Sequence, residues 1–171
     1  MPSKLTVVMY HYIRPIAVSR YPSIRGLELT EFEGQLDYIE RYYNVVPVSA
    51  VVVAANGGQP LPDRSIVLSF DDGYSDHYRY VFPILRQRNL TGVFFPPVCA
   101  IHDRTALDVN KIHFLLASTS DHSLLVSEIE DAVVSARDAS ALASLEECRA
   151  KLLIANRFDS SENLYIKQML Q

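Results

Sequence analysis

Apolar positions in the first hundred residues come in short runs, separated by segments with a different period. Leu5–Tyr10 (LTVVMY), Val45–Val48, Ser65–Phe70 (SIVLSF) and Gly92–Phe95 are near-continuous apolar or β-branched runs, the pattern of buried strands. Arg14 to Leu29, with Pro15, Pro22 and Gly26, reads as a loop. Phe32, Leu36, Ile39 and Tyr43 then recur at helical spacing, which predicts a helix from Thr30 with one apolar face. Thr30 and Glu33 have the spacing of a capping box at its start. Ser49 is expected to cap a short helix to Ala55, stopped by Asn56-Gly57-Gly58. After the third run, a helix over 75–88 turns Tyr78, Val81, Phe82 and Leu85 inward, and Pro83 kinks it or opens a fresh first turn. Strands alternating with helices predict parallel β/α units with right-handed crossovers.

The character changes after Pro97. Asp108 has the position of an N-cap, and Val109, Ile112, Leu115 and Leu116 form an apolar stripe. Further helices are expected at about 123–137, 140–155 and from 161 onward, with a second capping box at Ser144 and Glu147. The reading is an α/β domain over 1–171: parallel (β/α) units at 4–98, then a mainly helical segment at 99–171. The last run (Leu164, Ile166, Met169, Leu170) carries no Gly, Asn or Pro stop, so the pattern is expected to continue beyond Gln171.

Composition narrows the function class. The chain has 171 residues, 49% hydrophobic and 21% charged, which is globular rather than disordered. Its net charge of −4 offers no basic footprint for nucleic acid and no polybasic membrane patch. The longest apolar stretch, Val45 to Ala55, falls short of the roughly 20 residues that span a bilayer. The N-terminal residues lack the layout of a signal peptide, so a cytoplasmic chain is expected. Cys99 and Cys148 have no metal-type pairing and read as buried, reduced thiols.

The chemistry gathers at Asp71-Asp72-Gly73, directly after the third strand. In parallel β/α folds, functional groups collect at that end of the strands. Adjacent carboxylates repel each other, and a cation is the usual reason to keep them together. An extended backbone points neighbouring side chains opposite ways, so one Asp can take a metal while the other deprotonates a water. The plainer alternative is a solvated turn, for which Asp-Asp-Gly is also good chemistry.

Ile66–Tyr74 (IVLSFDDGY) resembles the first motif of the polysaccharide deacetylase family (NodB homology, carbohydrate esterase 4). Val8–Tyr12 (VMYHY) resembles the Tyr-His element that opens one branch of that family, and Gly92–Phe95 resembles its following strand. All three occur in order and at the right spacing, across roughly residues 4 to 98. The resemblance implies a distorted NodB-type (β/α) barrel, incomplete here, that removes acetyl groups from N-acetylated sugars with zinc or another divalent metal. It implies Asp71 as the general base and Asp72 as a metal ligand. His11, at the end of the first strand, and Tyr74, beside the motif, are expected to touch the saccharide.

The family's second motif, His-x-x-x-His, supplies two further metal ligands. His11, His77, His102, His113 and His122 show no such spacing. His77 and Asp76 read as a helix N-terminal pair instead. The motif set leaves three functions open: a hydrolase whose remaining ligands lie elsewhere, a saccharide-binding module without turnover, and a half-barrel that associates with another chain through its open sheet edge.

Overall fold

Four parallel strands form one open sheet in the computed structural model, which describes residues 4–136 and 145–170. Its centre is β3 (Ser65–Asp71). β1 (Leu5–Tyr10) runs along the whole of one edge, from Leu5 beside Ser65 to Tyr10 beside Phe70. β2 (Asn44–Val45) pairs with residues 65–66 and β4 (Val93–Phe95) with residues 69–71. With β1 filling one edge of β3, β2 and β4 share the other. Flanked on both edges, β3 is buried from Ser65 through Phe70. No described strand pairs with the outer edge of β1.

Strand alternation divides the sheet into two faces. Ile66, Leu68 and Phe70 point into the core with Phe32, Leu36 and Ile39 of α1 (Leu29–Tyr42). Tyr10 stacks on Phe70 at 5.3 Å, and Phe94 stacks on its other side at 4.9 Å. Val67, Ser69 and Asp71 alternate to the opposite face. There Val7 and Met9, their neighbours on β1, are 58% and 61% exposed.

Two helix starts differ from the sequence reading. α1 begins at Leu29, and its capping box is Glu28 with Glu31 rather than Thr30 with Glu33. Glu28 wins because its longer carboxylate also accepts from the Ile16 and Ala17 amides (2.7 and 3.2 Å), tying the preceding loop to the helix. α2 (Val48–Ala55) has Pro47 at its N-cap and no side-chain cap from Ser49. Its end is as expected: Gly57 lies at φ +80°, and the Gly57 and Gly58 amides return to Ala54 and Val53 in a Schellman closure.

The helix after β3 departs most. It opens as a π-turn (His77–Val81), in which the Phe82 amide reaches the His77 carbonyl, and continues as α3 (Phe82–Gln87). Pro83 supplies the cause: it has no amide, and its ring would clash with the carbonyl four residues back in a regular helix. The wider turn changes which side faces inward. His77, Val81 and Leu85 are buried, whereas Tyr78 and Phe82 are exposed.

α4 (Val98–His102) is the last helix of the first of two compact units, and the sequence divides between Thr105 and Ala106. The second is helical: α5 (Asp108–Ser118), α6 (His122–Ala136), α7 (Leu145–Leu152) and α8 (Ser161–Met169). Asp108 is the first residue of α5, not its cap, and pairs with Lys111 at 2.8 Å. Leu125, Ile129 and Ile166 form this unit's core. Glu130 is buried with Arg149 Nε at 2.6 Å and the Tyr165 hydroxyl at 2.9 Å. The start expected near Ser140 and the capping serine at 144 lie outside the described residues. Leu170 caps α8 through the Ile166 carbonyl. Cys99 and Cys148 are free but half-buried, not buried.

Candidate active site

The site is built on the last residue of β3 and the turn that follows. Asp71 ends the strand on the face of Ser69, whose hydroxyl donates to Asp71 Oδ1 at 3.1 Å. Asp72 then takes φ +68° and Gly73 φ +62°. The divergence of the two carboxylates therefore comes from a left-handed turn, not from the pleat of an extended strand. Asp tolerates that region better than most side chains, and such conformers gather at functional sites. Gly73 is required twice over. Its φ suits glycine, and a Cβ there would sit 2.8 Å from Pro96 Cβ at the end of β4.

Tyr74 reaches back to the same turn. Its hydroxyl donates to Asp72 Oδ2 at 2.7 Å. Burial is the largest reason that its pKa rises well above the ordinary tyrosine value, with hydrogen bonds to Tyr12 and Asp72 adding to it. The phenol is therefore a fixed donor at neutral pH. Tyr12 packs its ring 4.4 Å from that of Tyr74 and is itself buried. Sequence reading placed Tyr74 against a sugar. The structure gives its hydroxyl to Asp72, which makes it a partner of the carboxylate.

His11 lies one residue beyond β1, at the same end of the sheet as Asp71, with an exposed side chain. Its backbone carbonyl is held 2.7 Å from His77 Nε2. His77, buried among Phe70, Tyr74 and Phe94, is not the simple helix-start residue it was expected to be. Burial is the largest influence on its pKa and lowers it, so the ring is neutral. Asp76 pairs with Arg14 rather than capping the helix. Sequence reading passed over Tyr12, Arg14 and Asp76 as site residues. A usable signal existed: His77, Val81 and Leu85 recur every fourth residue.

The metal centre implied by the motif is only partly present. Among the described residues, no three His, Cys, Asp or Glu side chains come together as a cation site. A catalytic zinc takes three protein ligands and an open position, and Asp72 by itself does not meet that requirement. His102 is exposed, and His122 meets the Leu116 carbonyl.

Residues 58–106, which contain β3, the Asp pair, the π-turn, α3 and β4, match the family model described as polysaccharide deacetylase. Over that segment the chain is similar to polysaccharide deacetylases. A poly-β-1,6-N-acetyl-D-glucosamine N-deacetylase of Escherichia coli K12 is 36% identical over 90 residues, covering 52% of this chain and 13% of that protein. Among solved structures, the Streptococcus pyogenes deacetylase PplD, in complex with acetate, has a TM-score of 0.52 at 18% identity. That alignment covers 68% of this chain and 54% of the other, and speaks for the fold alone. IcaB from Ammonifex degensii is 31% identical, with a TM-score of 0.40, over 55% of this chain and 40% of that one. The matched segment thus spans a small part of the curated E. coli relative and about half or less of the solved ones.

Proposed function

We propose that this domain removes acetyl groups from N-acetylated sugars of a poly- or oligosaccharide, with Asp71 as general base and Asp72 as one ligand of a divalent cation. The reading is carried by one observation: a buried central strand of a polysaccharide deacetylase segment delivers two adjacent carboxylates into a left-handed turn. Asp71, aligned by the Ser69 hydroxyl, takes a proton from a water as that water adds to the acetamide carbonyl. Cleavage of the C–N bond, with the proton held by Asp71 passed to the leaving nitrogen, leaves acetate and a free sugar amine. Tyr74 keeps Asp72 oriented through Oδ2. The described residues do not complete a zinc site, so no step is assigned to the metal. Its remaining ligands would come from beyond these residues or from another chain. The E. coli relative makes an N-acetylglucosamine oligomer the first substrate to try. Acetate release by the complete gene product, lost in Asp71→Asn, is the expected result. No release, together with sugar binding that survives EDTA, points instead to a saccharide-binding module.

A second reading has its own support. The outer edge of β1 is unpaired among the described strands, and Val7 and Met9 are exposed beside it. Open edges and bare apolar faces invite association. Self-association through this edge would show as a concentration-dependent mass in sedimentation, and a strict monomer would exclude it.

A further inference from the structure

The residues after β1 leave the ladder, although Tyr12 and Ile13 stay buried, at 5% and 0% exposure. The ladder with β3 ends at Tyr10, and beyond it the backbone is tied to Leu27 by the Leu27 amide on the Tyr12 carbonyl (2.8 Å) and the Arg14 amide on the Leu27 carbonyl (3.2 Å). Two side chains from the other side of the site complete the anchoring. Asp76 pairs with Arg14, and His77 Nε2 lies 2.7 Å from the His11 carbonyl. Both Asp76 and His77 are buried, at 7% and 3% exposure.

The chemistry of the His77 bond is fixed. A carbonyl only accepts, so Nε2 carries the proton and donates. Among the described residues the buried Nδ1 has no hydrogen-bond partner, which suits a bare lone pair and would strand a second proton. His77 is thus held as the neutral Nε2–H tautomer. The π-turn that Pro83 imposes is what brings this ring inward.

Between the two anchors sits Tyr12. Its ring lies on Tyr74, and Tyr74 donates to Asp72. A continuous set of contacts therefore runs from His77 through His11 and Tyr12 to Tyr74 and the Asp72 carboxylate. We propose that His77 is a positioning residue of the deacetylase site: its Nε2–H bond to the His11 carbonyl, with the Asp76–Arg14 pair beside it, holds Tyr12 against Tyr74 and so sets the orientation of Asp72. The effect on turnover rests on the deacetylase reading; the effect on geometry does not. The role is orientational because the bond is made to a backbone carbonyl: it holds the loop and touches no reacting group.

Two substitutions separate the bond from the packing. His77→Gln keeps a donor near the Nε2 position, whereas His77→Phe keeps a ring and removes the donor. In the labelled 171-residue chain, His77→Phe is expected to shift the Asp72 and Gly73 amide resonances and the Tyr12 and Tyr74 ring resonances, and His77→Gln to restore them. In the complete gene product acting on an N-acetylglucosamine oligomer, His77→Phe should lower kcat about tenfold at unchanged KM, because misplacement of a reacting group weighs on the chemical step. His77→Gln should recover kcat to within about threefold of wild type by the same reasoning. Unmoved resonances in His77→Phe, or a Gln variant as impaired as the Phe variant, would overturn the proposal. If wild type releases no acetate, the deacetylase reading has failed and the resonances alone decide this one. Should His77→Phe not fold, Arg14→Gln releases the second anchor and is read in the same way.

Discussion

The two units bury polar groups for different ends. In the β/α unit, β3 is covered along both edges, and its core continues through Tyr10, Phe32, Phe70 and Phe94 to the foot of the Asp71–Asp72 turn. Of its buried polar residues, Ser69, Asp76 and His77 connect to that turn or to the loop beside it, while Ser65 at the start of β3 donates to the Pro62 carbonyl. In the helical unit the core is a short list of aliphatic side chains, and the buried polar residues are Asn110 and Glu130, the latter held by Arg149 and Tyr165. That arrangement joins α6, α7 and α8 and presents no reactive group. The contrast teaches that a buried charge marks a candidate site only where its partners lead to an accessible group. Glu130 and Tyr165 are buried and shifted in pKa, yet with Arg149 they read as structural cohesion.

The largest expected effect tests the chemical side of this contrast. Asp71→Asn should cut acetate release by the complete gene product about 10²–10⁴-fold, the range for loss of a general base. Glu130→Gln should leave kcat unchanged. Equal losses in both variants would erase the distinction between site and scaffold.

Next comes packing. Phe70→Ala removes a fully buried ring that touches Tyr10, Phe32, His77 and Phe94, and should cost about 3–5 kcal/mol. Ile166→Ala in the helical core should cost about 2–5 kcal/mol. Urea unfolding followed by residue-resolved NMR will show whether each loss stays within its own unit. Simultaneous loss of both units in either variant would show that they unfold as one.

A smaller effect probes the Glu130 cluster. Tyr165→Phe deletes a hydroxyl donor to a carboxylate and should lower stability by about 1–2 kcal/mol in denaturant melts. No change would mean that Arg149 alone satisfies Glu130.

Acid should then separate the units. His77 has its pKa lowered from 6.5, first by burial, while the hydrogen bond to the His11 carbonyl and the charges of Asp76 and Asp72 pull it up and the His11 side chain pushes it down. The folded state thus favours the neutral ring, and the unfolded chain takes up the proton first. The stability this contributes is complete above about pH 6.5 and is lost as pH falls from there toward the folded pKa. Glu130 is lowered from 4.5, chiefly by its hydrogen bond from Arg149. Its contribution is present above pH 4.5 and fades only as pH falls through the folded pKa. The β/α unit should therefore weaken first on acidification, and His77→Gln should remove the step that begins near pH 6.5. A variant that keeps that step would assign it to another group.

Local signals carried much of this molecule. Leu5–Tyr10 and Ser65–Phe70 read as strands because continuous apolar, β-branched runs suit little else, and α1 showed its inward face through Phe32, Leu36 and Ile39. The Asp71-Asp72-Gly73 turn was legible for the same reason: its residue types and its place after a buried strand are adjacent in sequence. What needed the tertiary structure were the relations between distant segments. β3 sits at the centre only because β1, β2 and β4 all pair with it. The inward face of the helix after β3 turns by the width of one π-turn, because Pro83 and the buried His77 outweigh the regular 3.6-residue period. The left-handed turn at Asp72 and Gly73, with Pro96 close to Gly73, and the Tyr74 bond to Asp72, with Tyr12 against the Tyr74 ring, bring together residues far apart in sequence. Periodicity reports what a segment buries; which group it buries it against is a matter of long-range packing, and the orientation of Asp72 was decided there.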